Sequence, residues 1–264
     1  MKKHLYRLFI ELTNRPFISK QLERFAKSSK SRFIIGSFVR TYNIRLDEME
    51  KPLHEYHSLH DLFTRKLKGN VRSIELGESV LVSPVDAVLE EYGEIHEDQT
   101  FLVKGKNYFI SEMLVHEEKI DKYVGGSFMI LYLSPSHYHR IHAPITGRIT
   151  EQWSLGTSSY PVNRLGVKYG KSPFTKNYRV ISEINHNGVH VAVVKVGAMF
   201  VNGIELIHKG EEIKKGEEIG YFSFGSTIIL LFEKGSFTIN PSVKRKMELK
   251  VGEKLGTLKE AIRS

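Results

Sequence analysis

From residue 80 to residue 232 the apolar residues of this chain come in short runs broken by glycine and by charge, and that texture limits its fold more than any other feature. The runs at 80–82, 85–89, 101–104, 128–133, 147–153, 179–184 and 189–196 are strand-length and rich in valine and isoleucine. Runs of this length and composition read as strands, and many short strands sharing a buried face give a sandwich or barrel-like β architecture. Residues 203–222 continue the pattern, with Gly210 and Gly216 bracketing a charged turn ahead of Glu218, Ile219, Gly220, Tyr221 and Phe222. The expected class is α+β, mostly β, with helices placed before the strands.

Those helices belong to the first 70 residues. Apolar residues recur there at helical spacing: Leu5, Leu8, Phe9 and Leu12, then Ile18, Leu22 and Phe25, then Ile35, Phe38, Val39 and Tyr42. Three short amphipathic helices are predicted. Pro16 starts the second, and Ser28-Ser29 or Gly36 interrupts the third. A further helix is predicted over 59–67, where Ser58 and Asp61 make a capping-box pattern. The chain thus divides into an N-terminal helical region, 1–70, and a β-rich region, 71–264.

Charge follows the same division. The net charge is +9, and residues 1–45 alone hold eleven Lys/Arg against two acids, Glu11 and Glu23, so the rest of the chain is formally neutral. Basic amphipathic helices carrying Phe9, Phe25, Phe33 and Phe38 suit an anionic membrane surface. No nucleic-acid recognition motif accompanies the charge, so a nucleic-acid partner is not expected. The longest apolar runs, 128–133 and 228–232, fall far short of the roughly 20 residues that span a bilayer, so no transmembrane helix is expected. Residues 1–12 interleave Lys2, Lys3, Arg7 and Glu11 with apolar residues and read as no signal peptide. With no cysteine there is no thiol nucleophile, thiolate metal site or disulfide, which fits a reducing compartment.

Three motifs carry chemistry. Phe224-Gly225-Ser226-Thr227 lies ahead of the apolar run 228–232, Ser83-Pro84-Val85-Asp86 lies far upstream, and Tyr138-His139-Arg140-Ile141-His142 stands between them before Ala143-Pro144. A serine hydroxyl needs a base to become a nucleophile, and Gly225, lacking a Cβ, tolerates a distorted backbone and leaves its carbonyl approachable by the Ser226 hydroxyl. Ser134-Pro135 reads as an N-cap followed by proline at the first helical position. A short helix or turn is expected to start there, placing His139 and His142 on one face with His137 pointing elsewhere.

Taken in this order, the motifs resemble those of the phosphatidylserine decarboxylases, from about residue 86 to 232. The hairpin texture of 203–222 is likewise similar to the barrel-sandwich hybrid of biotinyl and lipoyl carriers. The family resemblance implies a proenzyme that cuts itself between Gly225 and Ser226 into chains 1–225 and 226–264, converting Ser226 into a covalent pyruvoyl group. It implies an Asp86-His142-Ser226 triad for the cut, with His142 as base, and assigns decarboxylation to His139. The substrate's amine would condense with the pyruvoyl ketone as a Schiff base, and the product would be phosphatidylethanolamine and carbon dioxide. The family further implies a homodimer, peripheral on the cytoplasmic face of a bacterial cell membrane. Phe224 stands where the family's best-known motif has leucine, and Ala87 replaces a glycine that often follows the aspartate.

Smaller blocks also look like the family: Asn177 with Arg179, and Val196-Gly197-Ala198-Met199, of which Ala198-Met199 is expected near the substrate. Two other classes fit parts of the pattern. His137, His139 and His142 could hold zinc in a hydrolase. A non-catalytic carrier-like barrel is the second, although such carriers modify a lysine at a hairpin tip and here Phe200 follows Ala198-Met199.

Overall fold

A computed structural model describes residues 16–103, 105–170, 172–198 and 203–259. The helix expected around Leu5–Leu12 and the position of Met199 lie outside the described residues. Helix α1 spans Pro16–Lys27 and begins at the proline, whose fixed φ suits a first turn and whose missing N–H costs nothing there. After Ser28 the chain tightens into a 3-10 turn, Ser29–Ile34, and resumes as α2, Ile35–Tyr42, which ends on Asn43 in the left-handed conformation. The serine pair, not Gly36, makes the break. The Ser31 hydroxyl donates to the carbonyl oxygens of Ala26 and Ser28 and accepts the N–H of Leu59, tying the helices together.

Helix α3, Leu59–Phe63, carries the expected cap: Ser58 Oγ accepts the N–H of Asp61 at 3.1 Å, and the Asp61 carboxylate accepts the N–H of His57. It stops at Phe63, so the segment from 64 to 79 is irregular and not helical as far as residue 70. Ile35, Val39, Ile44, Met49, Tyr56, Leu59 and Leu62 bury one apolar cluster among these elements, and Phe224 packs on it.

Sixteen strands are described. An eight-stranded antiparallel sheet runs in the order β11 (Glu212–Ile213), β7 (Gly147–Leu155), β8 (Arg179–His186), β9 (Val189–Gly197), β13 (Ser226–Phe232), β5 (Ser127–Leu133), β2 (Ala87–Glu94) and β15 (Glu248–Leu249). Two three-stranded sheets cover one face: β1 (Val80–Val82) with β16 (Lys254–Leu258) and β14 (Phe237–Ile239), and β10 (Ile204–Leu206) with β12 (Glu218–Phe222) and β6 (Arg140–His142). The other face carries the hairpin of β3 (Thr100–Val103) and β4 (Lys106–Phe109), and the helices α4 (Ile110–Leu114), α5 (Glu117–Tyr123), α6 (Arg164–Tyr169) and α7 (Pro173–Lys176).

Because side chains alternate along a strand, the central strand feeds both cores. Ile228, Leu230 and Phe232 of β13 enter the core shared with the small sheets, while Ile229 and Leu231 enter the core under the helices. All seven residues of β13 are buried. The mostly-β α+β class is therefore as expected, with the N-terminal helices packed against the strands. Among the described residues the large sheet ends at β11 and β15 and does not close into a barrel.

Candidate active site

Ser226 opens the central strand. It lies between Leu133 of β5 and Gly197 of β9, is fully buried, and its Oγ has no hydrogen-bond partner. A buried hydroxyl left unpaired costs stability, so its retention needs a chemical reason. Beside it is a cavity of about 270 Å³ lined by Gly225, Ser226, Ala198 and Tyr132, with Phe38 and Tyr42 of α2 on the other wall. The N-terminal region thus supplies part of the site. Gly225 is not in the left-handed region, and a Cβ added there would meet only Ala198, at 3.9 Å. The left-handed conformation that favours glycine is thus not used at this position, and a side chain would find space there.

Of the short helix or turn expected here the histidine segment takes the turn, and it does not bring His139 and His142 to one face. Ser134 and His137 close a single turn, with Pro135 in the second position that favours it: the N–H of His137 donates to the Ser134 carbonyl at 3.0 Å, and the N–H of Ser134 donates to His137 Nδ1 at 2.9 Å. The chain then enters β6, whose partner is β12, and the N–H of Phe222 donates to the His139 carbonyl at 2.9 Å. In an extended chain residues three apart face opposite sides, so His139 and His142 part company.

His139 turns inward with Ile141 and is fully buried. Its Nδ1 lies 2.9 Å from the His137 carbonyl, which can only accept, so Nδ1 carries the proton and Nε2 is bare; Nε2 is buried without a partner. The ring packs 3.9 Å from that of Phe63, which stacks in turn on Phe224. Burial first, then the nearby Arg65 charge, hold His139 well below the ordinary histidine value.

His142 faces the other way. Its Nδ1 donates to the Gly216 carbonyl at 2.8 Å, and its Nε2 accepts from the Tyr138 hydroxyl at 3.1 Å. Burial lowers its pKa, opposed by the Gly216 hydrogen bond and by the charges of Glu218 and Asp86. The Asp86 carboxylate accepts both Nε and Nη2 of Arg72, the first at 2.8 Å, and the N–H of Val251 at 2.9 Å. Arg72 also donates to Glu48 at 2.6 Å. No hydrogen bond joins Asp86, His142 and Ser226 in this arrangement; Asp86 reaches His142 by its charge.

His137 donates through Nε2 to Glu248 at 2.9 Å while Nδ1 accepts from Ser134, so it shares no site with the other two. Among the described residues no group of His, Asp or Glu is placed to hold a metal ion, which removes the zinc reading. Asn177, fully buried, bonds Tyr160 through both amide atoms and donates to the Gly197 carbonyl at 2.8 Å, linking the loop that walls the cavity to the strand beside Ser226. Arg179 is structural, donating to the carbonyls of Glu112, Met113, Thr175 and Asn177. Arg65, Arg72 and Phe63 went unnoticed as site residues in the sequence, because nothing local marks a residue whose partners lie far along the chain, as Phe224 does from Phe63.

A Gly-Ser step whose serine hydroxyl is buried, unpaired and set against a cavity marks a class of enzyme that builds its reactive group from its own chain. The family model for phosphatidylserine decarboxylase matches residues 59–257, which include Asp86, His139, His142, Gly225 and Ser226. The phosphatidylserine decarboxylase proenzyme of Geobacillus kaustophilus is 57% identical over 261 residues, 99% of each chain. Those of Anoxybacillus flavithermus and Bacillus thuringiensis subsp. konkukian are each 54% identical, over the full length of both chains in the first case and over 97% of this chain and 98% of the relative in the second. The chain belongs to the phosphatidylserine decarboxylase family.

Proposed function

We propose that this chain converts phosphatidylserine to phosphatidylethanolamine and carbon dioxide on a pyruvoyl group made from Ser226. The observation that carries the reading is the Ser226 hydroxyl: fully buried, unpaired, at the wall of a cavity, and one residue after Gly225. These residues fit the group, since it would occupy Ser226's own position at the cavity wall.

For the cut, Ser226 Oγ attacks the Gly225 carbonyl carbon; the C–O bond forms as the peptide C–N bond breaks, turning the peptide into an ester. Elimination releases Gly225 as a carboxylate and leaves dehydroalanine, which water converts to the pyruvoyl group with loss of ammonia. His142 is the base for the first proton, oriented and made more basic by Asp86. For this Tyr138 must release Nε2, and Asp86 must replace the Gly216 carbonyl at Nδ1. Once formed at Ser226, the pyruvoyl group would supply a ketone for the substrate's amine and an electron sink for loss of the carboxylate. His139 takes up a proton at its bare Nε2 and delivers it to the α-carbon.

The exposed surface of the N-terminal helices supports a membrane contact. Phe33 is 79% exposed, and Leu22, Phe25 and Tyr42 are also exposed, among Lys20, Arg24, Lys30, Arg32 and Arg40. Among the described residues no helix is long and apolar enough to cross a membrane. On its family, we read the protein as a peripheral homodimer at the cytoplasmic face of a bacterial membrane, with residues 1–70 as the membrane-contacting region and 71–264 as the catalytic domain. The short sheets laid over the large one support the kinship with the barrel-sandwich hybrid.

Intact mass under denaturing conditions tests the central claim. Wild type gives chains of residues 1–225 and 226–264, the second blocked at its N-terminus, and Ser226→Ala remains one chain. An uncut wild-type protein that releases carbon dioxide from phosphatidylserine would overturn it.

A further inference from the structure

Arg65 follows α3 and is 4% exposed. Among the described residues its hydrogen bonds all go to main-chain carbonyls: Leu62 at 3.4 Å through Nη1, and Ser136 at 2.8 Å and His137 at 2.9 Å through Nη2. Its Nε is buried with no partner. A guanidinium taken out of water with no carboxylate in contact is costly, since Asp86 and Glu48 act on it only at a distance, and a neutral donor could hold these carbonyls at less expense. Burial lowers its pKa without making it neutral at any working pH. The charge is therefore the feature that needs a use.

One of the carbonyls supplies it. The His137 oxygen accepts from Arg65 Nη2 and also from His139 Nδ1, each at 2.9 Å. Polarised by the guanidinium and held in place by it, this oxygen can bond only the protonated form of Nδ1. The neutral ring is left with its proton on Nδ1 and its lone pair on Nε2. Phe63, from the helix that ends just before Arg65, covers the same ring.

Resting on the reading of His139 as the proton carrier of decarboxylation, we propose that Arg65 is a positioning residue for that reaction, fixing the tautomer and the neutral state of His139 through the His137 carbonyl. The groups facing His139 are few. Phe63 of α3 and Phe224 of the segment before Ser226 are apolar neighbours in one ring stack, and the charges that act on it are Arg65 and His137. No carboxylate acts on His139 itself, so a proton accepted at Nε2 makes a strong acid that is readily passed to the α-carbon.

The test uses full-length Arg65→Met, Arg65→Lys and His139→Ala, with cleavage followed on gels and kcat and KM measured from carbon dioxide release by phosphatidylserine in mixed micelles between pH 5.5 and 9. Arg65→Met should mature, keep its KM within about twofold and lose on the order of 10- to 100-fold in kcat. Its acid limb should move up toward neutrality, because the imidazole has lost the cation that kept it neutral. Arg65→Lys should recover most of the rate and the wild-type profile. A wild-type pH profile in Arg65→Met, or equal losses in the Met and Lys variants, would overturn the proposal.

The imidazole ¹⁵N spectrum of the uncut Ser226→Ala chain gives a readout independent of turnover. His139 should show a single Nδ1–H tautomer that becomes a mixture when Arg65→Met is added; an unchanged spectrum counts against the proposal. Should Arg65→Met not fold, Arg65→Gln, which keeps a neutral donor, takes its place in both measurements. If His139→Ala turns over like wild type, the reading of His139 falls, and the spectrum still decides whether Arg65 sets its tautomer.

Discussion

The rings of Phe63 and Phe224 stack with 4.6 Å between centroids and 3° between planes, so α3 holds the residue that precedes Gly225-Ser226. Phe63 is fully buried and also covers His139. Phe63→Ala should destabilise the fold by about 3–5 kcal/mol through the cavity it leaves. It should also slow self-cleavage, because the attacking and attacked atoms lose their shared support. Thermal unfolding of the Ser226→Ala chain with and without the change measures the first effect, and a time course of cleavage measures the second. Cleavage at the wild-type rate would show that the stack only fills space.

Tyr138 occupies the His142 nitrogen that the cut requires. His142→Ala and Asp86→Ala should accumulate uncut chain. Tyr138→Phe removes a competing donor worth about 1 kcal/mol and should cut about fivefold faster than wild type. Pulse-chase or refolding time courses on gels decide this; a slower Tyr138→Phe would mean that the phenol assists the proton transfer instead of delaying it.

On the membrane side, reversing charge at Lys2, Lys3 and Arg7 should weaken sedimentation with anionic liposomes. Replacing the exposed Phe33 by serine should do so separately, and added salt should weaken the wild type. Binding that ignores both charge and salt would make the basic region a structural element only.

Lys195 gives a pH signature. It is fully buried in β9, its Nζ donates to Ser182 Oγ at 2.7 Å, and burial pushes its pKa down to about 7. In the unfolded chain the amine returns to about 10.5, so between these values the unfolded state binds a proton that the folded state does not. Stability therefore rises with pH across that window, by about 1.4 kcal/mol per unit, and the full penalty is present below it. Urea unfolding of Ser226→Ala from pH 7 to 9.5 should show this rise, and Lys195→Met should abolish it. Parallel curves for the two proteins would place the lysine in contact with water.

The sequence reading succeeded where one residue or one short run decides the outcome. Valine- and isoleucine-rich runs became β5, β8, β9 and β13 within a few residues of their expected ends, and Pro16 and the Ser58-Asp61 cap fixed helix starts by local chemistry alone. Helices α4 and α5 escaped notice because five and seven residues hold too little periodicity to see. Ser134-Pro135 left a short helix and a turn both open because proline after serine serves either equally, and the choice was made by β12, some eighty residues on. The candidate site was legible as a set of residue types. Which histidine faces inward, and which arginine holds Asp86, depended on pairings that only the folded chain contains.

The position of β13 governs what a cut before Ser226 leaves behind. The strand is paired along its whole length with β5 on one side and β9 on the other, and beyond it β15 pairs with β2 and β16 with β1. The 226–264 segment is thus threaded through the rest of the protein like a weft, and severing one peptide bond at its edge loosens none of those ladders. Once unfolded, however, the two pieces must find each other by diffusion, and recovery becomes second order where the intact chain folds in a first-order step. Maturation would then exchange a protein that can be renatured at any dilution for one whose architecture is inherited from a precursor that no longer exists.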